Sequence, residues 1–287
     1  MKLRTLVAAV TAVVGGLAGG LAAPAQASDD TIDYVALGDS YAAGSGVLPL
    51  AWGAPLLCAQ SSRNLSHVLA DSLDADLTDV TCGGAQTSHF YAKQYWNTPP
   101  QLDALSDDTD LVTLMIGGND TNLFAGAIQN CVIEAIGSFG QGNPCERKYS
   151  AQWNQQIDGT IGPAVKKALA DIVAKAPNAE VLIVGYPWIM PASGGCFAKM
   201  PIATGDVPFM RALQANLNDA IGKSAADNGV TFVDLAELSE LSDGHDSCKP
   251  IGTRWVEPAL FGLNFVPVHP NALGERKMAE AVQAALN

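Results

Sequence analysis

Five short apolar runs punctuate the chain, and longer amphipathic stretches fill the gaps between them. The runs are Tyr34–Leu37, Asp76–Val80, Leu111–Ile116, Val181–Gly185 and Val230–Val233. Short runs with little polar alternation suit strands buried on both faces. The helix-like stretches are Asn64–Leu73, Trp153–Ala174 and Phe209–Ala226, and Ala272–Ala285 closes the chain. This alternation predicts an α/β fold: a single domain of three layers, α/β/α, around a central, mainly parallel sheet. With 287 residues, 48% of them apolar, the chain can bury such a core, and with only 16% charged residues it does not read as disordered. Pro270 is expected in the first turn of the last helix, where its missing N–H costs nothing.

The first 27 residues read as an export signal. Lys2 and Arg4 give a basic start, Leu6 to Ala23 is apolar and rich in Gly and Ala, and Ala25-Gln26-Ala27 is a small-residue cleavage site. A retained membrane anchor is the alternative; the glycines in the run and the cleavage site favour removal. The mature domain then spans residues 28–287 and is expected outside the cell. No later stretch is long and apolar enough to span a bilayer, so no integral membrane association is expected after cleavage. The net charge of −13 speaks against nucleic acid and against an anionic-membrane anchor. Six cysteines, an even count in an exported protein, read as disulfides whose pairing the sequence leaves open. There is no Cys-x-x-Cys and no His-Glu-x-x-His, and the four histidines are scattered. No metal and no cofactor are expected.

Chemistry concentrates where strands end. Gly38-Asp39-Ser40-Tyr41 directly follows the first run, placing a serine at the edge where open α/β sheets build their sites. Val268-His269-Pro270-Asn271 stands at the threshold of the last helix. A hydroxyl needs a base within reach to act as a nucleophile at neutral pH, so Ser40 with His269 points to acyl transfer. Cys82-Gly83-Gly84-Ala85 and Gly117-Gly118-Asn119-Asp120 follow two further runs, and both offer hydrogen-bond donors for an oxyanion. Each block has a plainer reading: an N-cap for Ser40 and His269, turns for the glycine pairs. Asp39 and Asp120 read as loop-ordering residues, His67 as structural, His89 as a residue of the site rim, and His245 as a solvated loop residue. The chain has no Gly-x-Ser-x-Gly, which argues against an ordinary α/β-hydrolase elbow.

The four blocks, in this order, resemble the SGNH, or GDSL-type, hydrolases, and best match their secreted bacterial lipase and esterase branch. The resemblance runs from about residue 31 to the C-terminus. It implies a flavodoxin-like sheet, Ser40 as nucleophile, His269 as base, and an oxyanion hole from the Ser40 N–H, Gly84 and Asn119. It also implies neighbour pairing of the cysteines: Cys58–Cys82, Cys131–Cys145 and Cys196–Cys248. One position departs from the family pattern. Members often carry Asp three residues before the histidine, and here that residue is Val266. A Ser-His dyad follows, with the Val266 backbone carbonyl expected to orient His269. The rival is a carboxylate folding back from a distance, Asp243 or Glu257.

The expected substrate is a small-molecule or lipid ester. Leu48, Leu50, Trp52, Phe90, Tyr91, Trp96, Leu123, Phe124, Trp188, Met190, Trp255 and Phe261 lie near the blocks, and a groove lined by such groups suits an acyl chain. Many of them suit a plain core equally well. Phospholipase A and carbohydrate or cell-wall deacetylase are alternatives within the fold. A non-catalytic envelope-binding module is the alternative of another class. A monomer is expected.

Overall fold

The computed structural model describes residues 31–241 and 244–286. The export signal and Asp243 lie outside the described residues. Five parallel strands form one sheet: β1 (Asp33–Gly38), β2 (Asp76–Asp79), β3 (Leu111–Met115), β4 (Glu180–Val184) and β5 (Thr231–Val233), in the order β2-β1-β3-β4-β5. All five expected runs are strands. Every residue of β3, and all of β4 after Glu180, is buried, as a sheet covered on both faces requires.

Among the described residues seven α-helices surround the sheet: α1 (Leu65–Leu73), α2 (Leu123–Gly137), α3 (Pro144–Gln156), α4 (Gly162–Lys175), α5 (Val207–Asn228), α6 (Leu235–Leu241) and α7 (Ala272–Ala285). α1 packs on α7 and α4 packs on α5, giving the three layers. Asn64 caps α1, its side chain accepting from the His67 N–H. The stretch expected as Trp153–Ala174 begins earlier, at Pro144, and passes through a wide π turn (Ile157–Ile161) before continuing as α4. Pro270 does not enter α7. Asn271 is the N-cap and accepts from the N–H groups of Leu273 and Gly274, so the proline sits one residue outside.

The three disulfides are Cys58–Cys82, Cys131–Cys145 and Cys196–Cys248. The first ties the turn before α1 to the loop after β2, the second joins α2 to α3, and the third links the loops that follow β4 and α6.

With this strand order the chain direction switches between β1 and β3, and a crevice opens beyond their carboxyl ends. β1 leads to Ser40 and β3 to Asn119. Gly38 makes the close approach of these two strands possible: its φ is +127°, and a Cβ there would stand 2.3 Å from the Met115 carbonyl oxygen.

Candidate active site

The Ser40 turn is built from backbone bonds and one carboxylate. The Asp39 N–H donates to the Met115 carbonyl (2.9 Å), fixing the turn to the end of β3. Asp39 then caps the turn, its carboxylate accepting from the Tyr41 N–H at 2.9 Å. Capping therefore falls to Asp39 and not to Ser40. The second Asp39 oxygen accepts from the Tyr186 hydroxyl at 2.5 Å, and that hydroxyl accepts from the Gly118 N–H at 3.0 Å. One buried tyrosine thus couples the residue before Ser40 to the residue before Asn119. Burial pushes the Asp39 carboxyl up to about 7, against the opposing pull of the Tyr186 and Tyr41 bonds.

Asn119 donates from its side-chain amide to the Ala85 carbonyl at 3.1 Å, which orients it and leaves its second N–H. Asp120 accepts from the Thr87 N–H and hydroxyl, tying the same two loops together. Gly84 has φ +77°, and a Cβ there would meet only Gln94 Nε2 at an ordinary 3.7 Å, so the left-handed backbone, not crowding, calls for glycine. The N–H groups of Ser40 and Gly84 find no partner among the described residues. The Cys58–Cys82 disulfide and a bond from the Gly83 N–H to the Cys58 carbonyl (2.8 Å) fasten this loop from behind.

His269 is held by its backbone and by one nitrogen. Its carbonyl accepts from the Glu257 N–H at 2.9 Å, and Pro270 bridges to Val256. Nδ1 lies 2.8 Å from the Pro267 carbonyl oxygen. This corrects the expected acceptor, Val266, by one residue. Val268 adopts a left-handed φ of +58°, which folds the chain so that the carbonyl two residues back reaches the ring. A carbonyl only accepts, so Nδ1 carries the proton and Nε2 keeps its lone pair. Nε2 is buried with no hydrogen-bond partner. Burial lowers the pKa of the ring and the Pro267 bond raises it; the net shift is downward, favouring the neutral base.

No carboxylate bonds to His269 among the described residues. Glu257 is fully buried and committed elsewhere: it accepts from Arg254 (2.5 Å), the Leu263 N–H (2.8 Å) and the Asn271 amide (2.8 Å).

Ser40, Asn119 and His269 line one cavity of about 430 Å³, whose walls are mainly apolar: Tyr41, Phe124, Ile128, Ile189, Val266 and Val268 contribute to them. Gly84 is not part of this lining; it immediately precedes Ala85, whose carbonyl accepts from the Asn119 amide. Of the apolar residues expected around the site, only Phe124 is part of the lining. Phe90, Leu123, Met190 and Trp255 are core, while Trp52, Trp96 and Phe261 face solvent. The other histidines stand outside the cavity. His67 pairs with Asn64, and His89 accepts from the Gln86 N–H through Nδ1. His245 is a half-buried loop residue that stacks on Trp255 and bonds to the Thr253 carbonyl.

The profile of the GDSL-like lipase/acylhydrolase family matches residues 36–277. The chain belongs to this family. As such it is a carboxylic ester hydrolase. The lipase/acylhydrolase is 54% identical to Lipase 2 of Streptomyces coelicolor, an alignment covering 97% of this chain and 95% of the relative. It is 31% identical to an esterase of Streptomyces scabiei, over 99% and 96% of the two chains. Among solved structures, the extracellular lipase of Streptomyces rimosus superposes with a TM-score of 0.74 at 27% identity, covering 89% of this chain and all of the other. Phospholipase A1 of Streptomyces albidoflavus gives 0.71 at 28% identity, over 88% and 98%. The three-layer architecture expected from the sequence is the one these hydrolases share.

Proposed function

We propose that this lipase/acylhydrolase cleaves acyl esters through a Ser-His dyad and an acyl-enzyme. The observation that carries the reading is the buried, unpartnered Nε2 of His269 in the cavity that Ser40 lines. Nε2 takes the proton of Ser40 Oγ as that oxygen bonds to the ester carbonyl carbon. The oxyanion is met by the N–H groups of Ser40 and Gly84 and by the free amide N–H of Asn119. Collapse of the tetrahedral species breaks the bond to the alcohol oxygen, which leaves with the proton from Nε2. Water then attacks the acyl-enzyme, Nε2 taking its proton, and the acid departs as Ser40 is restored. In the free enzyme Ser40 and His269 are not hydrogen-bonded, and this contact tightens when substrate fills the cavity.

The apolar walls favour an acyl chain over an acetylated sugar, and a cavity of about 430 Å³ accepts a medium-length chain. The extracellular lipase and the phospholipase A1 among the structural relatives support a lipid ester in either glyceride or phospholipid form. We further propose that residues 1–27 are removed on export, that the domain works outside the cell with its three disulfides formed, and that it acts as a monomer. Among the described residues no helix is long and apolar enough to cross a membrane.

A fluorophosphonate probe tests the mechanism. It should label Ser40 alone, and Ser40→Ala should abolish both labelling and hydrolysis of p-nitrophenyl and glyceride esters. Labelling of a different serine would refute the assignment.

A further inference from the structure

A second cavity, about 440 Å³, lies on the other side of the histidine loop. Leu263, Asn264 and Phe265 form part of its wall, while Val266, Pro267, Val268 and His269 line the catalytic cavity, so one loop separates the two. The rim is apolar and faces solvent: Leu48, Ile251, Leu263 and Phe265 are 61%, 65%, 67% and 55% exposed. Single exposed apolar side chains are ordinary, but four around one opening form a patch.

Two guanidinium groups also line this cavity, Arg63 just before α1 and Arg276 near the start of α7. Neither forms an ion pair among the described residues. Each donates one Nη1 bond to a backbone carbonyl, Arg63 to Leu48 (3.4 Å) and Arg276 to Ala272 (2.9 Å), which steadies the side chain and leaves its other donors free. The one carboxylate in the lining is Glu257, whose charge is met by buried Arg254. The chain carries a net charge of −13, yet Asp33, Asp76, Asp108 and Asp110 crowd the opposite edge of the sheet, where burial and mutual repulsion raise the Asp33 carboxyl.

We propose that this cavity docks the head group of an anionic glycerophospholipid in a lipid surface. The phosphate diester sits between Arg63 and Arg276, and the Leu and Phe side chains of the rim enter the acyl region. The chemistry selects this occupant. Guanidinium forks match phosphate oxygens, and a choline head group would bring its own cation to the arginines. A soluble anion or a nucleic acid would leave the apolar rim in water. Docking here lays the lipid surface over the histidine loop, beside the cavity that holds Ser40. The inference rests on the reading of that cavity as a lipid-ester site and adds a surface specificity to it.

The test uses the mature protein and vesicles of ether-linked phospholipids, which offer no ester to cleave. Vesicles of phosphatidylcholine are compared with vesicles that also contain phosphatidylglycerol. The anionic vesicles should capture the protein more tightly by about five-fold per arginine, and salt should weaken that capture. The double variant Arg63→Gln/Arg276→Gln should lose the preference while hydrolysing water-soluble p-nitrophenyl butyrate at the wild-type rate, and Phe265→Ser should weaken capture by both kinds of vesicle. Equal capture of both vesicles by the wild type overturns the proposal, as does a preference that survives in the double variant. Binding of inorganic phosphate without capture of either vesicle would mark a free-anion site and overturn it as well. Vesicle capture does not depend on catalysis, so Ser40→Ala should bind like the wild type even though it hydrolyses nothing.

Discussion

The hydroxyl of Tyr41, the residue after the proposed nucleophile, donates to the carbonyl oxygen of Val268, the residue before the proposed base, across 2.7 Å. The Tyr41 ring also lies 5.1 Å from the His269 ring. The two ends of the chain's chemistry are thus fastened to each other by one buried side chain. The fastening falls where it is needed, because Val268 is held at φ +58°, a conformation costly for a β-branched residue.

Tyr41→Phe keeps the ring and removes the bond. The buried Val268 carbonyl then lacks its partner, which costs about 1–3 kcal/mol of stability. Freed from the clamp, the histidine loop should lose alignment. We expect kcat to fall by roughly ten- to a hundred-fold with KM nearly unchanged, since a displaced base weakens the transition state more than substrate binding. Steady-state kinetics with a thermal melt check both effects. An unchanged kcat would show that Tyr41 only packs.

The orienting carbonyl of Pro267 makes a second prediction. Burial lowers the pKa of His269, so the acid limb of kcat/KM should have its midpoint below 6.5, the ordinary value for histidine. Activity is lost as pH falls through that midpoint, because the protonated ring cannot take the Ser40 proton. Pro267→Ala retains a carbonyl and should keep most of the activity, whereas His269→Ala should lose nearly all of it. A pH–rate profile on a soluble ester reads this directly. An acid limb above 6.5 would point to a carboxylate beside the ring.

The contrast between Val266 and Pro267 shows where the sequence stops informing. Ser40, Asn119 and His269 are legible because chemistry-bearing residues stand at strand and helix ends, and strand ends define the crevice. The central strands β1, β3 and β4 are legible because burial on both faces leaves them largely apolar, while the edge strand β2 carries Asp76, Thr78 and Asp79. Which carbonyl meets the imidazole depends on a left-handed valine, and no side-chain preference places a valine there. α2 is hidden for a similar reason. It starts after two left-handed residues, Thr121 and Asn122, with no side-chain cap to announce it. Yet α2 carries Phe124 and Ile128, so much of the cavity wall is hidden with it. The roles of Tyr41 and Tyr186 rest on partners 227 and 147 residues away, and no local pattern encodes such contacts.

Glu257 links the histidine loop to α7 without touching the imidazole. Its carboxylate accepts from Arg254, Leu263 and Asn271, and its N–H holds the His269 carbonyl. Burial alone would raise its pKa; the bonds from Arg254, Asn271 and Leu263 outweigh burial and hold the carboxyl below its usual range. Glu257→Ala leaves the buried Arg254 unpaired and should destabilise the fold by about 3–5 kcal/mol. Glu257→Gln should cost less. Denaturant melts of both variants give the comparison. A neutral Glu257→Ala would mean that the pair contributes nothing to holding the loop.

The Asp39 carboxyl links catalytic geometry to the pH dependence of folding. Its pKa rises from 3.8 to about 7 because the side chain is buried, so at pH 5 or 6 the folded protein retains a proton that the unfolded chain has lost. For a carboxyl raised in the folded state, its stabilising contribution is full below the unfolded value and is lost as pH climbs from 3.8 towards 7. A tenfold difference in proton affinity between the two states is worth about 1.4 kcal/mol, so the total loss is on the order of a few kcal/mol. Asp39→Asn cannot ionise, but its side-chain oxygen can still accept the Tyr41 N–H. Thermal melts of the wild type and this variant between pH 4 and 7 should therefore diverge, with the wild type losing stability relative to the variant as pH rises. Parallel curves over that range would show that Asp39 is already ionised in the folded protein. In that case the Tyr186 hydroxyl, its 2.5 Å donor, compensates the buried charge, and Tyr186→Phe rather than Asp39→Asn becomes the variant that changes the slope.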